Sequence, residues 1–330
     1  IVGLNEVAEK GFPVEQIMDL GFGGCLIMGK LLTKKINYKI AQIIPYFGKW
    51  PEWIELYFYS CSRNPIIDFI FYTDCPLPEQ RYKNTIFHQC SYKEYCQIVS
   101  NRLNIDYHCR QPYKLTDLKP FIGAIHEPEL RNYDFWGMGD IDLIYGDLGM
   151  IVNEKNMNHY DVLTTHNYHI AGHCCFFRNT EYYRNLCFKI KDWKQKVTNE
   201  KPLSIDEIDF SYQVMPWLKV IGRIYKYICR PFGIHYFTVL DTLHPKFHPQ
   251  IAAIEYWTSP QPKPNEIWTY NRKQNTIINP QGQQLPYIHF LFFKKTQWLE
   301  TDLYWRKGFY QINKPIKSYQ KIEISIWGIK

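Results

Sequence analysis

The sequence predicts an open α/β sheet with parallel neighbouring strands and helices on both faces. Three observations predict it. Short apolar runs of strand length recur at residues 39–48, 66–74 and 84–90. Segments whose apolar residues fall at helical spacing stand beside them at 51–64 and 91–104. The resulting order of strand, helix, strand, strand, helix is that of a layered α/β chain. In such sheets ligands sit beyond the carboxyl ends of the strands.

Each element has a local reason. Residues 1–35 are expected to be peripheral. Their apolar stretch "LGFGGCLIMG" is too short to span a bilayer, and Glu15 and Asp19 precede it where a signal peptide carries positive charge. Met28 opens a stretch that reads like a natural start. The first strand, "KIAQIIPYFG", ends at Pro45 and Gly48. Pro51 then starts a helix that carries Trp53, Ile54, Tyr57 and Phe58. "IIDFIFYTD" is a second buried strand that ends in Asp74, and "NTIFHQC" a third. Ser91 and Glu94 form a capping box at the head of the next helix. The segment 36–298 is expected to be one α/β domain, in two halves, 36–150 and 151–298. Residues 299–330, rich in aromatics and lysines, would be either a β appendage packed on the core or a patch resting on an anionic bilayer, the appendage being favoured.

Composition narrows the class. Apolar residues are 45% and aromatics 17% of 330 residues, a globular and not a disordered composition. A net charge of +7 suits an anionic ligand or an acidic membrane surface, and no segment forms a basic arm for nucleic acid. The 10 cysteines are scattered without a C-x-x-C pair, and Cys174 and Cys175 are expected to be packed. That usage fits a reducing cytoplasm better than a disulfide framework or zinc ribbon.

The chemistry centres on "YDFWGMGDIDLIYGDL". In an extended chain Asp140 and Asp142 project to the same side while Ile141 faces the opposite layer. Two convergent carboxylates are half of a hard-cation site, and Mg²⁺ or Mn²⁺ would balance their charge. Alone the triplet is equally a solvated strand end or a turn cap. A third ligand is available in "LPYIHFLFFKKTQW", where His289 sits in an apolar run ahead of Lys294 and Lys295. An isolated histidine in that setting is more often a core residue, but an imidazole would complete a Mn²⁺ site and an ammonium would balance a diphosphate. A last acidic cluster, "LSIDEIDFSYQV", carries Asp206 and Glu207. It is either the first turn of a helix capped by Ser204 or a pair of carboxylates that face the cleft. "GIHYFTVLDTLHPKFHP" reads as a loop over the cleft, "TSPQPKPNE" as a connector, and "EIWTYNRKQNTIINPQGQQLPYIHF" as a hairpin leading to the His289 strand.

Taken together these motifs resemble a glycosyltransferase of the GT-A, Rossmann-like fold, an open mixed sheet with helices on both faces, in which an Asp-x-Asp at a strand end holds the divalent metal of a nucleotide-sugar. "YIHFLFFKKTQW" is similar to the His-Phe-x-Gly-x-x-Lys-Pro-Trp element of the glycogenin-like and galactosyltransferase group, with Phe292 at the glycine and Thr296-Gln297 at the Pro-Trp. "IIPYFGKWPEW", "YKLTDLKP", "FWGMGDIDLIYGD" and "AGHCCFFRN" resemble still more closely an uncharacterised bacterial family found with capsule or surface-polysaccharide genes. The resemblance covers residues 38–298. It implies a catalytic domain, 36–150 its nucleotide-binding half and 151–298 its acceptor half, that moves a sugar with a metal's help from a nucleotide-diphosphate donor, UDP-sugar favoured, to a hydroxyl on a glycan or lipid-linked acceptor; the expected location is the cytoplasm, with the inner face of the membrane as the alternative.

Residue by residue, the resemblance makes Asp140, Asp142 and His289 the ligands of Mn²⁺ or Mg²⁺, and Lys295 or Lys294 the diphosphate contact. Pro45, Tyr46, Phe47 and Asp74 would lie against the base. Lys114, Asp117 and Lys119 would touch the base, ribose or donor sugar. Gly172 would allow close backbone approach, and His173 would face sugar or acceptor unless it is a packed strand residue. Asp206 or Glu207 would be the general base of an inverting enzyme or would position the acceptor of a retaining one, the retaining group being the one the His289 element points to. The alternatives are a metal-dependent nucleotidyltransferase or phosphohydrolase using the same carboxylates, and a nucleotide-sugar-binding protein without chemistry.

Overall fold

Residue parity along the first strand sets up both layers of the molecule. Strand β1 (Ile40–Pro45) sends Ala41 and Ile43 into one buried cluster and Ile40 and Ile44 into another on the opposite face. The structure is a computed structural model that describes residues 38–166, 169–234, 238–239, 251–253, 263–293, 305 and 308–330. The expectation for residues 1–35 lies outside them.

Strands β2 (Ile67–Thr73) and β3 (Thr85–Gln89) extend the sheet in parallel on one side of β1, and β4 (Phe135–Gly139) joins in parallel on the other. After β5 (Leu143–Tyr145) come β6 (Val162–Thr164), β7 (Cys174–Arg178) and β8 (Ile251–Ala253). β7 runs antiparallel to both β4 and β6, while β8 is parallel to β6, so the 7-stranded sheet in the order β3-β2-β1-β4-β7-β6-β8 is mixed. The class is therefore α/β with an open mixed sheet.

Helix α1 (Ile54–Ser62) covers one face with Ile54, Tyr57, Phe58 and Cys61. Helix α2 (Tyr92–Leu103) covers the other with Tyr95, Cys96, Val99 and Leu103. Each large side chain fully buried this way stabilises by roughly 1.5–3 kcal/mol. The capping box forms as the sequence predicts: Ser91 Oγ accepts from Glu94 N–H (3.2 Å), and Ser91 N–H donates to Glu94 Oε2 (2.7 Å). Asn104 ends the helix with a left-handed φ of 50°. Cys174 and Cys175 are packed in the sheet as free thiols.

A second sheet lies beyond α1. Strands β9 (Trp268–Asn271), β10 (Thr276–Ile278) and β11 (Gln284–Leu285) pair antiparallel. β9 and β10 are the predicted hairpin. Strand β12 (Tyr287–His289) leaves this sheet to pair with β5. Strands β13 (Lys321–Ser325) and β14 (Gly328–Ile329) complete the order β11-β10-β9-β13-β14, so strands on either side of residue 298 share one sheet. Its apolar face, with Trp268, Tyr270, Ile322 and Ile324, packs with Leu56 and Tyr59 of α1 and Ile144 of β5. Among the described residues no helix is long and apolar enough to cross a membrane.

Candidate metal centre

The Asp-x-Asp segment connects β4 to β5 and is held from several sides. Gln42, buried inside β1, donates from Nε2 to the Met138 carbonyl (2.9 Å) and accepts at Oε1 from Tyr145 Oη–H (3.1 Å). Gly139 is required beside it, because a Cβ there would come within 2.6 Å of Gln42 Nε2. Trp53 Nε1–H donates to the Ile141 carbonyl (2.8 Å), and Asp140 N–H donates to the His173 carbonyl (3.1 Å). Phe290 N–H donates to the Asp142 carbonyl (3.1 Å). Ile141 packs into the opposite layer, as the alternation predicts.

The β5–β12 pairing supplies the third group. Its register sets His289 opposite Leu143, next to Asp142. One ligand atom each from Asp140, Asp142 and His289 then lies within 4.8 Å of the others. Asp142 and His289 are each only 5% exposed, and His289 Nε2 is 3.4 Å from Asp142 Oδ2. Two carboxylates and an imidazole, brought together where a carboxylate is costly to bury, could hold a metal ion.

Lys119 organises the acidic side. Its Nζ lies 2.7 Å from Asp140 Oδ1 and 2.8 Å from Oδ2, and 3.6 Å from Asp206 Oδ2. Burial alone would lower the ammonium's pKa, but the carboxylates of Asp140 and Asp206 outweigh it and raise it. Asp206 is pushed up to about 7, chiefly by burial, with Glu207 and Asp140 adding to the rise and Lys119 opposing it. Gly172 does allow a close approach: a Cβ there would run into Asp206 Oδ2, so the glycine makes room for that carboxylate. Asp206 sits in a turn. Ser204 has a φ of 53° and caps no helix, and the next helix spans only Ser211–Val214. Glu207, on the same turn, is exposed.

Four of the residues expected at the ligand are engaged with the protein itself. Lys114 and Asp117 are sealed from solvent and bonded to each other (2.6 Å). Lys114 also donates to the carbonyls of Lys196 and Lys201, while Asp117 accepts from Leu203 and Ile205 N–H. They latch the chain leading into Asp206. Phe47 is core, packed on Tyr92 and Tyr95. His173 is buried, bonded through Nε2 to Tyr287 Oη (2.9 Å), and stacked on His289 with ring centroids 4.2 Å apart. Burial, with the His289 and His166 rings beside it, holds its pKa well below the usual range, so it backs the site as a neutral ring.

Tyr46 and Asp74 do stand at the strand ends. Tyr46 is stacked on Trp50 (5.2 Å), with its hydroxyl raised to about 12 by burial and then by Cys75 and Asp142. Pro45 is half-buried, and the exposed Asp74 accepts from Gly48 N–H (2.7 Å). Lys294 and Lys295, most of the loop from Gly233 to Pro249, and most of the connector 258–266 lie outside the described residues.

Sequence reasoning missed the support. Trp53 and Gln42 clamp the acidic segment through backbone carbonyls, which no motif marks. His166 and His169 stack on each other at 4.6 Å, and His166 meets His173 edge-on at 5.5 Å. The spacing of the three histidines at 166, 169 and 173 was the available signal.

A sequence profile of a family of unknown function (DUF6625) matches residues 42–313. No curated protein matches the chain.

Proposed function

The chain belongs to that family, whose description assigns no activity, and we propose from the site itself that it is a metal-dependent glycosyltransferase of GT-A type. The observation that carries this reading is the meeting of Asp140, Asp142 and His289 within 4.8 Å at the carboxyl end of β4. That strand end is also where the connections diverge to either side of β1, the place at which open sheets bind nucleotides.

In this reading Asp140, Asp142 and His289 hold Mn²⁺ or Mg²⁺. Bound there, the cation supplies positive charge to the diphosphate as the sugar–phosphate bond breaks. Lys119 keeps Asp140 and Asp206 in fixed orientation and adds a second positive charge to the site. Asp206, with a pKa of about 7, is suited to accept the acceptor's hydroxyl proton near neutral pH or to orient that hydroxyl. His173 holds the His289 ring in place through its stack and its bond to Tyr287. The new glycosidic bond forms at the sugar's anomeric carbon, the nucleoside diphosphate departs, and the acceptor gives up its proton.

The test is a product assay with a panel of nucleotide-sugars and Mn²⁺. Metal-dependent release of nucleoside diphosphate, absent in Asp142→Asn, is expected. Release of nucleoside monophosphate or pyrophosphate instead would overturn the transferase reading in favour of phosphate-ester chemistry. Metal-dependent UDP binding without any release or transfer would leave a binding protein.

A further inference from the structure

We propose that the helical segment from Trp217 to Ile234 docks the protein onto an anionic lipid surface. The segment begins as the helix Trp217–Ile224, continues through a wide π-helical turn over Tyr225–Cys229, and tightens at Arg230–Phe232. Trp217, Leu218 and Ile221 anchor its start in the core beside the main sheet. From residue 222 to 234 no residue is buried.

What that exposed stretch presents is unusual for a surface. Val220, Tyr227, Ile228, Phe232 and Ile234 all face solvent, Tyr227 at 70% and Phe232 at 80% exposure. Five of the thirteen large apolar side chains exposed among the described residues therefore fall within this one segment. Scattered single apolar residues need no explanation, but a cluster does. Lys219, Arg223, Lys226 and Arg230 are interleaved with them, and the sequence from Trp217 to Ile234 contains no Asp or Glu. None of these four cations is paired with a carboxylate among the described residues. Lys226 lies over the Tyr227 ring (5.2 Å) and Lys219 over Tyr212 (5.9 Å).

This charge and apolar pattern selects the partner. A protein partner would have to offer a groove for aliphatic and aromatic side chains lined with acids. An anionic bilayer meets both requirements at once: phosphate headgroups accept the Lys and Arg heads, and the acyl boundary takes Tyr227, Ile228 and Phe232. This segment is distinct in sequence from residues 299–330, where the sequence pattern alone had suggested lipid contact. The inference stands on surface composition and is independent of the reaction assigned to the metal centre.

The experiment is flotation of the full chain with phosphatidylcholine vesicles, with and without phosphatidylglycerol. Binding to the phosphatidylglycerol vesicles and not to the neutral ones is expected, weakening as salt is raised. The triple variant Tyr227→Ser, Ile228→Ser, Phe232→Ser should bind about tenfold more weakly or worse. The double variant Lys226→Glu, Arg230→Glu should lose a similar factor. All these side chains are exposed, so both variants should melt at the parent's temperature. No flotation of the parent, or variants that float like the parent, would overturn the proposal. So would a concentration-dependent dimer abolished by the same substitutions in a chain that ignores vesicles, since the surface would then join two copies.

Discussion

His289 Nε2 lies 3.4 Å from Asp142 Oδ2, and the backbone carrying each is joined by the hydrogen bond from Phe290 N–H to the Asp142 carbonyl. The imidazole is thus placed by strand register and not by side-chain reach. Removing the ring should delete one ligand without moving the other two. Mn²⁺ at about 100 times its dissociation constant should stabilise the parent by roughly 2.7 kcal/mol, which for a chain of this size raises the melting temperature by a few degrees. In Asp142→Asn and in His289→Ala that rise should vanish in thermal-shift measurements. If both variants respond like the parent, these residues are not the ligands.

Lys119 is the internal cation of the acidic group, in contact with both Asp140 and Asp206. Replacing it with methionine keeps most of the volume but leaves two carboxylates facing each other. Breaking a buried pair by removing one partner costs about 3–5 kcal/mol. Lys119→Met should lower unfolding free energy in urea by about 3 kcal/mol in chelator. Divalent cation should then stabilise the variant by more than it stabilises the parent, because it replaces the missing positive charge. An equal metal response in both proteins would mean that the ammonium and the ion do not share Asp140.

The main sheet was legible because its strands are apolar runs closed by Pro45, Gly48 and Asp74, and because the Ser91–Glu94 box marks a helix start. The direction of β7 was not, since an apolar run carries no sign of which way it runs beside its neighbour. The pairing of β13 with β9 was hidden for another reason: the two strands are far apart in the chain, and each alone shows only half a face. At the site, Asp140, Asp142 and His289 could be named because their side-chain types have few uses at a strand end. Lys114 and Asp117 read as ligand contacts because they are charged residues near a functional motif. Their true partners are the Lys196 and Lys201 carbonyls and the Leu203 and Ile205 amides, groups that every residue has and no pattern marks. Ser204 carried the letter of a cap, but its φ of 53° is not the extended conformation a cap requires.

That latch gives a prediction that separates structure from binding. Lys114 and Asp117 have side-chain exposures of 0% and 1%, so Lys114→Met strands a buried carboxylate and frees two carbonyls. The loss should be about 3–5 kcal/mol in urea unfolding. Asp117→Asn should destabilise as well, because Leu203 and Ile205 N–H bind different carboxylate oxygens and a single amide oxygen can accept from only one of them, leaving its NH2 against the other. Nucleotide affinity, measured on the fraction that remains folded, should change less than threefold, about 0.65 kcal/mol at 25 °C. A large affinity loss at unchanged stability would return these residues to the ligand.

His126, packed between Tyr95 and Tyr72, sets an acid limit on stability. It is buried, its Nε2 is 3.0 Å from Tyr95 Oη, and its ring lies 4.6 Å from that of Tyr72. Burial, reinforced by Arg102 and His88, pushes its pKa down to about 3. The unfolded chain takes up this proton near pH 6.5. Between those values the unfolded state binds more protons than the folded one, so stability rises with pH across that window. The contribution is complete above about pH 6.5 and is lost progressively as pH falls toward 3, by at most about 1.4 kcal/mol per pH unit. His126→Gln keeps a hydrogen-bonding partner for Tyr95 but cannot titrate. Its stability, followed by urea unfolding from about pH 7 to about pH 5, should fall less steeply than the parent's by roughly that slope. Some slope should persist, because His173 is also buried and neutral. Parallel curves for parent and variant would show that His126 is protonated equally in both states.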